Sequence, residues 1–155
     1  MVFKVTLNLS LRIQILNSPM RNMIIAVIDD DPLDRQICAR LIKLTFNPES
    51  VLEFSNGQDA LRHYFTNADL PYNLPDIVIV DIKMPLMNGW EYLQAYEIME
   101  TRLNKKPVHY ICTSSIDPKE LNYREDIVER VFTKPFEKRY VDTLIEDFSQ
   151  KNAKL

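Results

Sequence analysis

The chain has 155 residues, 46% apolar and 26% charged, the composition of one ordinary globular domain and not of a disordered or fibrous chain. Nineteen Lys and Arg against 22 Asp and Glu leave a net charge of -3, without the basic footprint of a nucleic-acid clamp. No apolar run approaches the roughly 20 residues of a membrane helix, and the two cysteines and two glycines supply neither zinc-ligand spacing nor a Gly-rich phosphate loop.

The first 22 residues stand apart, as an N-terminal extension. Val5, Leu7, Leu9, Leu11, Ile13 and Ile15 alternate with polar residues at period 2, a strand pattern that lacks the continuous apolar core of a secretory signal. Three readings stay open: an added edge strand, a strand that pairs two copies of the chain, or sequence upstream of a true start at Met20 or Met23. From Met23 the pattern changes. Met23–Ile28 and Asp76–Val80 are continuous apolar runs, as in strands buried on both faces of a parallel sheet, and Ser50–Phe54, Val108–Cys112 and Arg130–Thr133 are weaker strands.

Helical spacing fills the intervals. Leu33, Ile37, Leu41 and Leu44 form one apolar stripe, Tyr92, Tyr96, Met99 and Leu103 a second, and Val141, Leu144, Ile145 and Phe148 a third. A short helix around Ala60–Phe65 and a less regular one around Pro118–Glu129 complete five β-α pairs. Such alternation predicts an α/β fold, a doubly wound five-stranded parallel sheet with helices on both faces, over residues 23–150. A short polar tail, 151–155, follows. Ligands of such sheets gather at the carboxyl ends of the strands.

Those ends carry the chemistry. Asp29, Asp30 and Asp31 follow the first strand, Asp81 the third, Thr113-Ser114-Ser115 the fourth and Lys134-Pro135 the fifth. Two carboxylates about 4 Å apart repel by about 4 kcal/mol at an effective dielectric near 20, so such a site takes up protons or a cation. Oxygen-only donors in an open, hydrated site suit Mg²⁺ better than Ca²⁺. A lysine at the same edge adds a donor for phosphate oxygens, and the set as a whole describes phosphoryl transfer with a carboxylate nucleophile. Asp31 before Pro32 reads as a helix N-cap. His63 and His109 read as structural, the Trp90, Tyr92 and Tyr96 cluster as helix packing, and the Lys83 side chain as reaching solvent.

The combination Asp29-Asp30, Asp81-x-x-x-Pro85, Thr113 and Lys134-Pro135, with turn glycines Gly57 and Gly89, resembles the receiver domain of two-component response regulators over roughly Met23 to Phe148. The resemblance implies a flavodoxin-like fold and a stand-alone phosphoacceptor. Asp81 would take a phosphoryl group from a histidine kinase or phosphotransfer protein. Mg²⁺ would be held by Asp30 directly, by Asp29 directly or through water, by Asp81, and by the backbone carbonyl of Lys83. Thr113, in preference to Ser114, and Lys134 would contact the phosphoryl group. One departure stands out: Val131 occupies the place where the family commonly has an aromatic switch residue, and Phe132 faces the opposite side of its strand.

The implied partners are the phosphodonor and a downstream protein target, with no nucleic acid and no membrane, and with a homodimer possible through the extension. The expected location is cytoplasmic. An aspartate-dependent phosphatase of the haloacid-dehalogenase type would need an acid where Lys83 stands, so the chain is not expected to be an enzyme. The remaining alternative is a pseudo-receiver, a module that binds partners without phosphorylation, and the retained acids and lysine argue against it.

Overall fold

A computed structural model describes residues 23–46, 48–115 and 126–152. The strand-patterned extension 1–22 and most of the expected helix around Pro118–Glu129 lie outside them. Five strands alternate with helices in chain order: β1 (Ile24–Ile28), α1 (Pro32–Phe46), β2 (Ser50–Phe54), α2 (Gly57–Thr66), β3 (Ile77–Val80), α3 (Gly89–Met99), β4 (Val108–Thr113), β5 (Val128–Thr133) and α4 (Lys138–Asn152). The sheet has the order β2-β1-β3-β4-β5 and every pairing is parallel. β1 and β3 are buried along their whole length, as their unbroken apolar sequences require.

Two cores flank the sheet. On one face Val27, Ile79, Tyr110 and Phe132 pack against Cys38 and Ile42 of α1 and Val141 and Leu144 of α4. On the other, Ala26, Val78 and Ile111 pack against Ala60 and Tyr64 of α2 and Tyr92 and Tyr96 of α3. Val131 packs on the second face and Phe132 on the first, as strand alternation demands.

Three expectations need correction. The apolar stripe of α1 does not face the sheet: Leu33 is 64% and Leu44 74% exposed, Ile37 is exposed too, and only Leu41 packs partly inward. The buried positions are Cys38, Ala39 and Ile42, and the small Cys38 and Ala39 suit a face laid against the strands. Next, Val128 and Glu129, expected at the end of a helix, open β5 instead. Finally, α4 continues through Asn152, so the start of the expected polar tail is helical.

The two glycines are required by close approach, not by backbone freedom, since neither has positive φ. Both follow an asparagine that caps the helix. Asn56 accepts from the Asp59 amide, and Asn88 forms a full capping box with Glu91. A Cβ on Gly89 would meet the Asp81 carbonyl oxygen at 2.5 Å and Ile82 Cα at 2.8 Å. Helix α3 therefore seats directly on the turn that carries Asp81.

Polar groups tie the layers. Tyr92 and His109 share a buried hydrogen bond of 2.9 Å, and Tyr92 donates to Tyr64 at 3.4 Å. Burial pushes the His109 imidazole down to about 3, so it is neutral. At the edge strand, Arg130 holds buried Asp147 of α4 through two hydrogen bonds of 2.6 and 2.7 Å. That pairing keeps the Asp147 carboxyl below its ordinary range.

Two predictions follow from this packing. Gly89→Ala will destabilise the fold by about 1–3 kcal/mol in urea unfolding, the range for overpacking against backbone. A depressed histidine contributes stability above its unfolded value near 6.5 and loses it as pH falls toward the folded value of about 3. The wild type will therefore lose about 2 kcal/mol more than His109→Gln between pH 7 and pH 5, measured by the same unfolding experiment at each pH.

Candidate functional site

Register sets the site. Ile28 of β1 lies opposite Val80 of β3, so the next residues, Asp29 and Asp81, leave the sheet side by side. Thr113 of β4 lies opposite Thr133 of β5, and Lys134 follows at once. The chain turns from β1 toward β2 on one side and from β3 toward β4 on the other, and the crevice between β1 and β3 is the topological switch point where ligands of such sheets bind.

Lys134 reaches across two strands into that crevice. Its Nζ donates to Asp81 Oδ2 at 2.8 Å and forms ion pairs with Asp29 Oδ2 at 2.8 Å and Asp34 Oδ2 at 3.0 Å. The side chain is only 14% exposed. Burial alone would lower its pKa, but the hydrogen bonds to Asp29, Asp81 and Asp34 outweigh that and raise it. Asp29 behaves oppositely: burial raises its carboxyl, and the lysine offsets only part of that rise.

One carboxylate oxygen from each of Asp29, Asp30 and Asp81 lies within 4.8 Å of the others, close enough to share a cation. Asp29 and Asp81 are buried, while Asp30 opens to solvent. The donor set is all oxygen, one acid is hydrated, and one positive charge meets a surplus of negative ones. These features fit a hard divalent ion that keeps some of its water. Asp29 Oδ1 also accepts the Asp31 amide, and Asp81 Oδ1 accepts the Lys83 amide at 3.3 Å.

The structure brings together Asp29, Asp30, Asp81 and Lys134 from three separate strand ends. Thr113 stands beside them at the end of β4. It is 1% exposed, and its hydroxyl has no hydrogen-bond partner among the described residues, whereas Ser114 and Ser115 are exposed. Asp31 caps α1, accepting from the Leu33 and Asp34 amides. The Lys83 side chain does not simply reach solvent. It donates to Ser115 Oγ at 2.6 Å and so links the loops after β3 and β4. His63 bonds the Asn73 carbonyl and is structural.

Two participants escape the sequence reading. Arg35 donates to the Asp29 carbonyl at 2.5 Å and fixes the turn. Asp34 stands three residues after the cap, where an acid normally serves its own helix terminus. Its spacing from Asp31 gives no sign that it pairs with a lysine a hundred residues away.

A sequence model of the response regulator receiver domain matches residues 25–146. The chain belongs to the response regulator receiver family. It is 32% identical over 104 residues to a protein-glutamate methylesterase/protein-glutamine glutaminase of Clostridium acetobutylicum, covering 67% of this chain and 27% of that protein. It is 28% identical over 131 residues to the sensor histidine kinase CheAY of Helicobacter pylori, covering 84% of this chain and 15% of that protein. The receiver chain thus spans well under a third of the length of either curated relative.

Solved structures agree on the fold. A two-component response regulator from Cytophaga hutchinsonii superposes with a TM-score of 0.70 at 24% identity, covering 80% of this chain and 94% of its own. The chemotaxis protein CheY4 of Vibrio cholerae gives 0.62 at 19% identity, covering 83% and 97%. The domain is a receiver module of two-component signalling, with a flavodoxin-like sheet. Receiver domains typically bind Mg²⁺ at an acidic pocket, and this chain has an acidic cluster of Asp29, Asp30 and Asp81 at the corresponding strand ends. Among the described residues no helix is long and apolar enough to cross a membrane.

The raised Asp29 carboxyl makes a prediction. A group whose folded pKa is raised favours folding at low pH and loses that contribution as pH rises through its folded value. Ionised Asp29 therefore opposes folding at neutral pH in the absence of metal. Asp29→Asn will raise the metal-free melting temperature at pH 7, and a lower one would contradict this electrostatic account.

Proposed function

We propose that this receiver domain is a phosphoacceptor, taking a phosphoryl group on Asp81 from a phosphohistidine donor and changing its protein-binding surface in response. The observation that carries the reading is the convergence of Lys134 with Asp81 and Asp29, two carboxylates buried at the switch point. Buried acids held this close are costly unless cations share the site, and the positive charge that offsets them also suits a phosphoryl group.

The residues act as follows. An Asp81 carboxylate oxygen attacks phosphorus as the bond to the donor imidazole nitrogen breaks, and the electron pair of that bond leaves with the imidazole. Asp30 and Asp29, the remaining Asp81 oxygen and the Lys83 carbonyl would hold Mg²⁺, Asp29 directly or through water. The bound ion supplies charge neutralisation of the phosphoryl oxygens. Lys134 exchanges a carboxylate partner for a phosphoryl oxygen, a charge-assisted bond of the strong kind. Thr113 turns its buried, unpartnered hydroxyl onto the same group, which gives that hydroxyl the partner it lacks.

Partners meet the domain near these residues. The exposed Leu33, Ile37 and Leu44 on α1 lie on the helix that starts beside the acids, and Leu86 stands 81% exposed in the loop after Asp81. Leu86 has φ of 70°, a conformation that strains a branched side chain. These apolar side chains suit docking of a protein donor. The downstream target would read the surface around β5 and α4, and a cytoplasmic setting suits the two free, buried thiols. A second copy of the chain remains a further partner of this reading, through the 1–22 segment.

Incubation with Mg²⁺ and acetyl phosphate tests the assignment. The wild type will gain one base-labile phosphoryl group by intact-protein mass spectrometry, and Asp81→Asn will gain none while keeping its cooperative melt. An unlabelled wild type, or a labelled Asp81→Asn, would overturn the assignment.

A further inference from the structure

The Lys134 ammonium is already paired before any phosphoryl group arrives: it donates to Asp81 and forms ion pairs with Asp29 and Asp34. Two of these acids belong to the transfer chemistry proposed above. Asp34 does not. It lies in the first turn of α1, outside the group of oxygens that could share a cation. It nevertheless lines the same crevice as Asp29, Asp81, Cys112, Lys134 and Phe136.

We propose that Asp34 is a resting-state counter-ion for Lys134, a positioning residue that holds the ammonium away from phosphoryl capture and so sets how readily the site accepts an anion. The proposal rests on the phosphoacceptor reading and adds to it a residue outside the acid pair, the acceptor and the lysine. Two physical effects point the same way. A phosphoryl oxygen has to compete with three nearby carboxylates for the Lys134 ammonium. Asp34 also places a fixed negative charge next to the lysine, which opposes an incoming anion and favours a cation. A partly exposed pair of this kind is worth at most several-fold in an equilibrium, enough to tune the site without abolishing its chemistry.

The signature is opposite movement of two affinities. Full-length Asp34→Asn will bind Mg²⁺ about twofold to threefold more weakly, and at saturating Mg²⁺ it will bind beryllium trifluoride, a phosphoryl mimic, about threefold to fivefold more tightly. Both are read by titration calorimetry. Asp34→Glu, which restores the charge, will return both affinities toward wild type. Asp31→Asn removes an exposed acid from the same helix end that does not touch Lys134, and it will shift both affinities less. Loss of both affinities in Asp34→Asn would mark a fold defect and overturn the proposal, as would an unchanged beryllium trifluoride affinity or an equal shift in Asp31→Asn. If the wild type itself binds no beryllium trifluoride with Mg²⁺, the phosphoacceptor reading falls and this inference falls with it.

Discussion

One ammonium group among three carboxylates links the ends of β1, β3 and β5 and the start of α1. Its geometry depends on the sheet beneath it. Asp29 and Asp81 stand side by side because Ile28 and Val80 are register partners, and Lys134 can reach them because β4 alone separates β5 from β3. Moving any of these strands by one residue would turn an acid or the lysine to the other face. The apolar layers therefore serve the site: they fix register, and register fixes charge.

The same logic explains which parts of the domain are rigid by construction. β1 and β3 are buried from end to end and hold the two buried acids. Gly89 lets α3 seat against the Asp81 turn, and Arg35 holds the Asp29 turn from the other side. β5 is different. It lies at the edge of the sheet, exposes Glu129 and Arg130, and is tied to α4 by the Arg130–Asp147 pair and by Lys151 with Glu129. Charged side chains on an edge strand discourage unwanted pairing. They also join β5 to α4, the helix that follows Lys134 in the chain.

Much of this was legible in the sequence, because it rests on local signals. Continuous apolar runs marked β1 and β3, and the acids directly after them marked the site without any knowledge of the remaining contacts. The lysine before Pro135 was legible from the strand-end rule, and the family resemblance gave it its role. What stayed hidden depends on distance in the chain or on helix rotation. The stripe of Leu33, Ile37 and Leu44 has the right period, yet the helix turns Ile42 and the small Cys38 and Ala39 to the sheet. Periodicity reports that a face exists and not which face a helix buries when close approach favours small side chains. Asp34 with Lys134 and Asp147 with Arg130 are long-range pairs that no local spacing announces.

The central claim is that the Asp81 carboxylate forms a covalent bond to phosphorus. Its most direct test is chemical trapping: the protein is incubated with Mg²⁺ and acetyl phosphate, reduced with borohydride, digested and sequenced by tandem mass spectrometry. An acyl phosphate is reduced to an alcohol and an unmodified carboxylate is not, so the account predicts homoserine at position 81 and unchanged aspartate at positions 29, 30 and 34. Homoserine at one of those other positions, or unreduced aspartate at position 81 in a protein that carries the phosphoryl group, would contradict it.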